Sequence, residues 1–510
     1  MVFGLESVSG KVSTLASNET FTGEPSFVQQ DLARYESVTA EDVMRVYETY
    51  IKDKPAVIMS TVPKGQVGLI AHEDTWERYE RTIPERTDEG ELAMREATDT
   101  FDRSVIPASG PNPTITAPAI WHGELDNGIA MIGAVNSETP TTALRIQLEV
   151  GQRQESLDKI GLAQLTASML DEATTESTVE DLSNRLDKIG ASVSVSSGNR
   201  TTTITVRTLT EHVDEALSVL EEKLLKPAFA AEDFERLKAQ TLQGIEVSKT
   251  QPAATASAVF TAQLYGADNV WAHPNEGRTS TVSAITIDDV KAFYGAHYGS
   301  NVARVLAVSD LSQEELTSKL AFLDDWAAVT VAEVTDAPYP ELAAGTLYLI
   351  DKEGAAQSEI RIGKRALPWD ATGEYYRAGL MSYPIGGAFN SRINLNLRED
   401  KGYTYGARGR FSGSIDHGHY VASAGVRTDA TAKSIIEFES ELAKANAEGI
   451  TEDELAFTRS SIGQSEARDY ETPRQKLGYL DRVITYNLAD DYVTEQSAVL
   501  SQITKEELDA

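Results

Sequence analysis

Two side chains in the C-terminal third of the chain can hold an oxygen that gains negative charge. Arg398 carries five N–H donors on a planar fork, and Tyr405, seven positions on, carries a phenolic O–H. Donors of these types, fixed before the charge develops, lower the energy of an oxyanion. They sit in one run, Gly386-Gly387-Ala388-Phe389-Asn390-Ser391-Arg392, continued by Leu397-Arg398-Glu399-Asp400-Lys401-Gly402-Tyr403-Thr404-Tyr405. The glycine pair predicts a tight backbone turn, Asn390 to Leu397 is compatible with a short helix, and Lys401-Gly402 predicts a turn into a strand from Tyr403 to Phe411. That order sets the arginine and the tyrosine on either side of one turn. Read alone, Arg398 also suits a helix-end ion pair with Glu399 or Asp400, and Tyr405 also suits core packing. No Lys-Ser/Thr follows the glycines, so they are not a phosphate loop.

The other reactive side chains give less. None of the 7 histidines falls in an H-x-x-E-H or H-E-x-x-H pattern. His417-Gly418-His419, after Asp416, is the one close pair and is expected at a solvent-exposed hairpin tip; His273-Pro274 is expected in a structural loop. There is no G-x-S-x-G elbow and no Rossmann glycine fingerprint. Cysteine is absent, which excludes disulfides, thiolate zinc sites and thiol catalysis. The net charge of −33 repels nucleic acid and anionic lipid, so neither is an expected partner. No apolar run is long enough to span a membrane, so no insertion is expected, and the opening residues lack a basic-then-apolar signal pattern.

The elements that must position these residues follow from periodicity. Thr39 suits a helix N-cap, followed by Val43, Val46, Tyr47 and Ile51 on one face, and residues 56–62 read as a buried-type strand. Residues 66–117 read as an extended linker, rich in Glu, Arg, Thr and Asp and closed by prolines. Asn127-Gly128 predicts a hairpin. Strands are expected at 142–150, 191–196, 202–209 and 302–309. Helices are expected at 162–170, 179–189 with Gly190 as stop, 211–225, 231–248 and from 285 onward. After Pro338-Tyr339-Pro340, strands are expected at 346–350, 358–365 and 420–426, with helices at 374–381, 431–445 and 452–465.

The chain repeats. Val38-Thr39-Ala40-Glu41-Asp42-Val43 recurs as Ile285-Thr286-Ile287-Asp288-Asp289-Val290 and as Ile503-Thr504-Lys505-Glu506-Glu507-Leu508. Thr286 and Thr504 stand 218 apart and Phe234 and Leu455 stand 221 apart, a period of about 220 residues. Residues 118–335 and 336–510 are therefore expected to be two copies of one α/β unit. Residues 1–65 are expected to be the tail of a preceding copy, and the last copy to break off inside its final helix, as in a fragment of a longer polypeptide.

These residues resemble the insulinase/pitrilysin family of zinc peptidases, the inverzincins. The resemblance covers nearly the whole chain, and bacterial zinc proteases are its nearest type. It implies an α+β fold of repeated insulinase-type α/β domains, each a mainly antiparallel or mixed sheet with helices packed on one side. The family's active domain binds zinc through the two His of H-x-x-E-H, with the Glu as general base and a distant Glu as third ligand. The frame is kept here as Gly161-Leu162-Ala163-Gln164-Leu165-Thr166-Ala167-Ser168-Met169. Gln164 and Ser168 stand at the His positions and Ala167 at the base. Gly244 falls near the distant ligand, with Glu246 close enough to leave that alignment open. The resemblance thus implies that residues 118–335 are a degenerate, inactive copy and that the chain carries no catalytic residue and no metal of its own.

The run at 386–405 resembles the family's substrate-holding domain. That implies substrate-binding roles for Arg398, Tyr405, Gly386, Gly387 and Phe389, with Tyr403 a rival to Tyr405. The expected function is the non-catalytic C-terminal half of a zinc peptidase, one wall of a peptide chamber. The expected partners are a peptide and a zinc-bearing H-x-x-E-H domain, on the same longer chain or on a partner subunit. The alternative is a purely structural peptidase-like scaffold. A periplasmic location is implied by resemblance alone.

Overall fold

In the computed structural model, residues 2–73, 79–82, 102, 105, 110–330 and 332–509 are described. Two compact units form, one of residues 11–110 and one of residues 1–10 with 111–510. Helices α1 (Val8–Thr22), α2 (Val28–Glu36) and α3 (Ala40–Tyr50) open the chain. Thr39 caps α3 as its type predicts: its hydroxyl accepts from Asp42 N–H at 3.2 Å and Asp42 accepts from Thr39 N–H. The strand expected at 56–62 does not form. The segment joins no strand or helix, with Val57, Ile58 and Met59 exposed. Most of the expected linker lies outside the described residues.

Asn127-Gly128 turns the chain into a hairpin, with Gly128 at φ +87°. Strands β1 (Ile120–Glu124) and β2 (Ala130–Val135) flank it. With β3 (Thr141–Leu148), β4 (Ser192–Ser197), β5 (Thr202–Leu209) and β6 (Ala303–Ser309) they form a six-stranded sheet in the order β1-β2-β6-β3-β5-β4. β2 and β6 pair in parallel and the other neighbours are antiparallel, so the sheet is mixed.

Helices α4 (Leu162–Leu170), α5 (Val179–Ile189), α6 (Val213–Leu225) and α7 (Ala231–Thr250) follow the expected bounds closely. α8 (Pro252–Tyr265), α9 (Thr279–Ala284), α10 (Ile287–His297) and α11 (Gln313–Lys319) complete this half. One sheet face packs Leu144, Ile146, Leu148, Ile204 and Val206 against Leu165, Leu217, Leu220 and Phe234 of these helices.

The second half holds a three-stranded antiparallel sheet. It consists of β7 (Gln357–Ala366), β8 (Thr404–Gly413) and β9 (Gly418–Arg427), in the order β7-β9-β8. Helices α12 (Glu374–Ser382), α13 (Arg392–Asn394), α14 (Thr431–Glu448), α15 (Glu452–Glu466), α16 (Pro473–Tyr486), α17 (Tyr492–Gln502) and α18 (Lys505–Asp509) accompany it. Ile360, Ala407, Ala422, Ala424 and Val426 pack against Leu380, Ile393, Leu397, Phe438 and Leu455. The strand expected at 346–350 is absent: Leu347, Tyr348 and Leu349 are exposed, and no strand lies beside them among the described residues.

Sequence periodicity also missed α8, α16 and α17. α16 crosses to the first half, where Leu477, Leu480 and Val483 cover Ile132, Ala134, Leu306 and Val308 on the other face of the six-stranded sheet. Covered on both faces, β3 is buried at every position but Arg145.

Candidate functional site

The run at 386–405 is a rigid base carrying an exposed rim. Gly386 is buried against β8, where an added Cβ would come within 2.5 Å of the Gly409 nitrogen. Only glycine permits that approach. Two wide turns shape the run. Ala388 N–H donates to Tyr383 O at 2.8 Å and Lys401 N–H to Asn396 O at 3.0 Å, both spanning five residues, as π-type turns do. Arg392 anchors α13 to α15 by a two-pronged ion pair with Glu454 and a bond to Gly449 O at 2.9 Å. The amide of Asn394 donates to Phe389 O at 2.7 Å and its oxygen accepts from Ala407 N–H at 2.9 Å. Ile393 and Leu397 sit fully inside the core below.

Above this base the side chains face outward. Arg398 lies over the Phe389 ring at 4.6 Å, and Phe389 is 66% exposed. Arg398 also approaches Glu399 at 3.2 Å, within ion-pair range but without hydrogen-bond geometry. Tyr405 is 92% exposed. A bulge lifts it out, because the β8–β9 register shifts between Thr404 and Ala407. The Thr404 hydroxyl fixes the bulge, accepting from Gly406 N–H at 3.1 Å and donating to Gly425 O at 2.7 Å. The glycine at 406, inside a strand pattern, is the sequence signal for that bulge. Tyr403 is half-buried, its carbonyl accepting from Arg427 N–H at 3.0 Å. A Cβ added at Gly387 would come within 3.3 Å of the Tyr383 ring.

The frame at 161–169 is different. It forms α4, entered through Gly161 at φ +104°. Ala167 is fully buried in the core, and Thr166 turns its hydroxyl back to Leu162 O at 2.8 Å. Gln164 and Ser168, one turn apart, are half-buried, and Gln164 Oε1 lies 3.4 Å from the Asn275 amide. At the helix start the Glu155 carboxylate accepts from Gly161 N–H at 3.1 Å and from Ala163 N–H. Burial outweighs those bonds and pushes its pKa up to about 8. Gly244 is exposed on α7. Glu246 bonds Lys249 at 2.6 Å and Thr279 at 2.8 Å, and the lysine holds its pKa below the ordinary range. No group of three His, Asp or Glu able to hold a metal occurs among the described residues.

The expectation of a solvent-exposed tip at His417-Gly418-His419 is overturned. His417 packs at 4.7 Å from the Tyr265 ring and 4.9 Å from Trp271, and His419 Nδ1 lies 3.0 Å from the Tyr265 hydroxyl. α8 and the Trp271 segment of the first half close over the hairpin. Burial lowers the pKa of both rings.

The fold and these two regions define an M16-type α/β pair. The family described as Insulinase (Peptidase family M16) matches residues 131–272, and the Peptidase M16 inactive domain matches residues 284–462. The chain belongs to the insulinase family. An uncharacterized zinc protease of Rickettsia felis is 22% identical over 401 residues, covering 75% of this chain and 95% of the relative. A non-peptidase homolog of Helicobacter pylori, YmxG, is 24% identical over 382 residues, covering 73% of this chain and 85% of its own.

Among solved structures, a peptidase M16 inactive domain from Pseudomonas fluorescens superposes with a TM-score of 0.70 at 22% identity, over 77% of this chain and 93% of that one. The periplasmic protease PqqL of Escherichia coli superposes with a TM-score of 0.66 at 13% identity, over 94% of this chain but 49% of its own.

Proposed function

We propose that this chain is the non-catalytic part of an M16 zinc peptidase. It forms a wall of the peptide chamber and presents Arg398 and Tyr405 to the substrate. Zinc belongs to a separate H-x-x-E-H domain, on the same polypeptide or a partner. The observation that carries this reading is the outward pair itself: an arginine stacked on Phe389 and a tyrosine 92% exposed, on a base fixed by Arg392, Asn394 and Gly386. An exposed phenol and an exposed phenyl ring beside a half-buried guanidinium, on so ordered a base, suit a ligand better than they suit stability.

The frame at 161–169 supports the same reading. An amide, a methyl and a hydroxyl at Gln164, Ala167 and Ser168 do not fit the donor set of a zinc hydrolase, and none of them is a general base. The chemistry left to this chain is to bind the peptide backbone. Arg398 and Tyr405 donate N–H and O–H to a carbonyl oxygen as it gains charge, an effect worth about 3 kcal/mol per donor.

A scaffold role is the second reading. It is favoured by the contacts Arg398 makes within the chain, to Phe389 and Glu399.

The test assays peptide cleavage by the chain alone and with an H-x-x-E-H domain supplied. The expected result is no cleavage alone and cleavage with the partner that needs both Arg398 and Tyr405. Chelator-sensitive cleavage by the chain alone overturns the proposal, and restored cleavage indifferent to both residues selects the scaffold.

A further inference from the structure

The three-stranded sheet has one apolar and one basic face. Alternation sends Ile360, Ala407, Ala422 and Ala424 into the core, so their neighbours point the other way. The register aligns Arg361, Ser423 and Arg408 in one row across the strands, and Gly363, Val421 and Arg410 in the next. α8 closes one side of this face with Ser257, Phe260 and Thr261, leaving a cleft of about 290 Å³. Gly363 makes that closure possible, since a Cβ there would stand 2.8 Å from the tip of the Phe260 ring.

Three guanidinium groups therefore meet in one cleft of a chain whose net charge is −33. They are not equivalent. Arg361 is committed to Glu359 at 3.0 Å and to Ile360 O at 2.8 Å. The side chains of Arg408 and Arg410 have no ion pair or hydrogen bond among the described residues. The nearby Arg365 is occupied, donating to Leu264 O at 2.6 Å and stacking over Tyr339. His419 is held neutral at ordinary pH by burial, and it bonds Tyr265. The cleft thus keeps two unpaired forks, spaced two residues apart on β8, beside the hydroxyls of Ser257, Thr261 and Ser423.

From this geometry we infer a subsite for acidic side chains of a bound peptide, held by Arg408 and Arg410. Carboxylates match the planar forks in a two-pronged way, which favours them over a featureless anion. The spacing on β8 reads side chains at alternate positions of an extended peptide, whose side chains on one face recur every second residue. A chain this acidic repels polyanions at long range, so a nucleic acid is not the fitting occupant. A short acidic segment within a mixed peptide feels mainly the cleft, since charges beyond about 8–10 Å are screened. The inference deepens the reading of the chain as a peptide-holding wall and rests on it for the fate of the peptide.

The test is fluorescence anisotropy on the full chain. The probes are an extended labelled peptide with Glu at alternate positions, its Gln counterpart, and inorganic phosphate as competitor. The Glu peptide is expected to bind at least about tenfold more tightly than the Gln peptide, with the difference shrinking at high salt. It should lose that advantage in Arg408→Glu/Arg410→Glu and keep it in Lys188→Glu on α5. If the double charge reversal unfolds the chain, Arg408→Gln and Arg410→Gln singly make the same test. Equal binding of both peptides, an unaffected double variant, or displacement by phosphate at the concentration of the peptide itself overturns the inference. Cleavage restored by the H-x-x-E-H domain, with no preference for acidic peptides, overturns the subsite and spares the proposed function.

Discussion

The helix α4 and the run at 386–405 lie in different halves of the chain, and exposed donor groups are absent from one and present in the other. In α4 the position that the resemblance implies for a general base, Ala167, is fully buried and part of the core. In the second half Tyr405 is pushed outward by a bulge and Arg398 is propped on an exposed ring. A buried methyl serves packing and specifies the fold. An exposed phenol above a fixed base adds little to stability and is free to meet a ligand. The difference between the halves is what each backbone does with its side chains: α4 turns them in, while the bulge at Thr404 turns Tyr405 out.

Mutations can break or sharpen that contrast. The largest expected effect is on cleavage restored by a zinc-bearing domain: Arg398→Ala or Tyr405→Phe should each lower kcat/KM on the order of a hundredfold, about 3 kcal/mol. The melting temperature should move little, because Tyr405 is exposed and the Nη1 of half-buried Arg398 makes no hydrogen bond that its loss would break. A fall in stability with unchanged cleavage would place the pair in the scaffold instead.

On the other side of the comparison, Ala167→Glu puts a carboxylate into an apolar core and should cost about 3 kcal/mol in urea unfolding. A stable Ala167→Glu chain would mean that α4 still has room for a base. Between the two lies Gly386→Ala, which forces the backbone off Gly409. It should cost about 2 kcal/mol and weaken the Arg398/Tyr405 effect by displacing the base.

The smallest effect per step is on pH. The Glu155 carboxyl is raised to about 8 when folded, from 4.5. The folded chain therefore binds a proton that the unfolded chain has released, and stability falls as pH rises through that window. The slope from this group is at most about 1.4 kcal/mol per pH unit. Glu155→Gln should flatten the dependence of Tm on pH between those limits; an unchanged slope would show that the N–H groups of Gly161, Leu162 and Ala163 keep the carboxylate ionised.

Much of this is legible in the amino-acid sequence. α4 and α5 run where periodicity sets them, with Gly190 as stop; of the two caps the sequence offers for α5, Ser177 and Thr178, the structure uses Thr178. The recurring Thr-x-x-Asp/Glu pattern makes the same cap at Thr39, Thr286 and Thr504, and again at Thr178 and Thr451. Gln164, Ala167 and Ser168 are readable as lost chemistry because residue type alone decides what can bind zinc or take a proton. Segments 56–62 and 346–350 fail as strands because composition argues for a strand but does not supply its partner.

The chain's own residues determined the caps, turns, repeat and side-chain chemistry, since these depend on neighbours a few positions apart. Only the tertiary structure decided that Tyr405 faces out, that His417 and His419 lie under α8, and that Arg408 and Arg410 share a cleft with Ser257. Each of those depends on strand register and helix packing between residues far apart in the chain, where a shift of one residue turns a side chain to the opposite face.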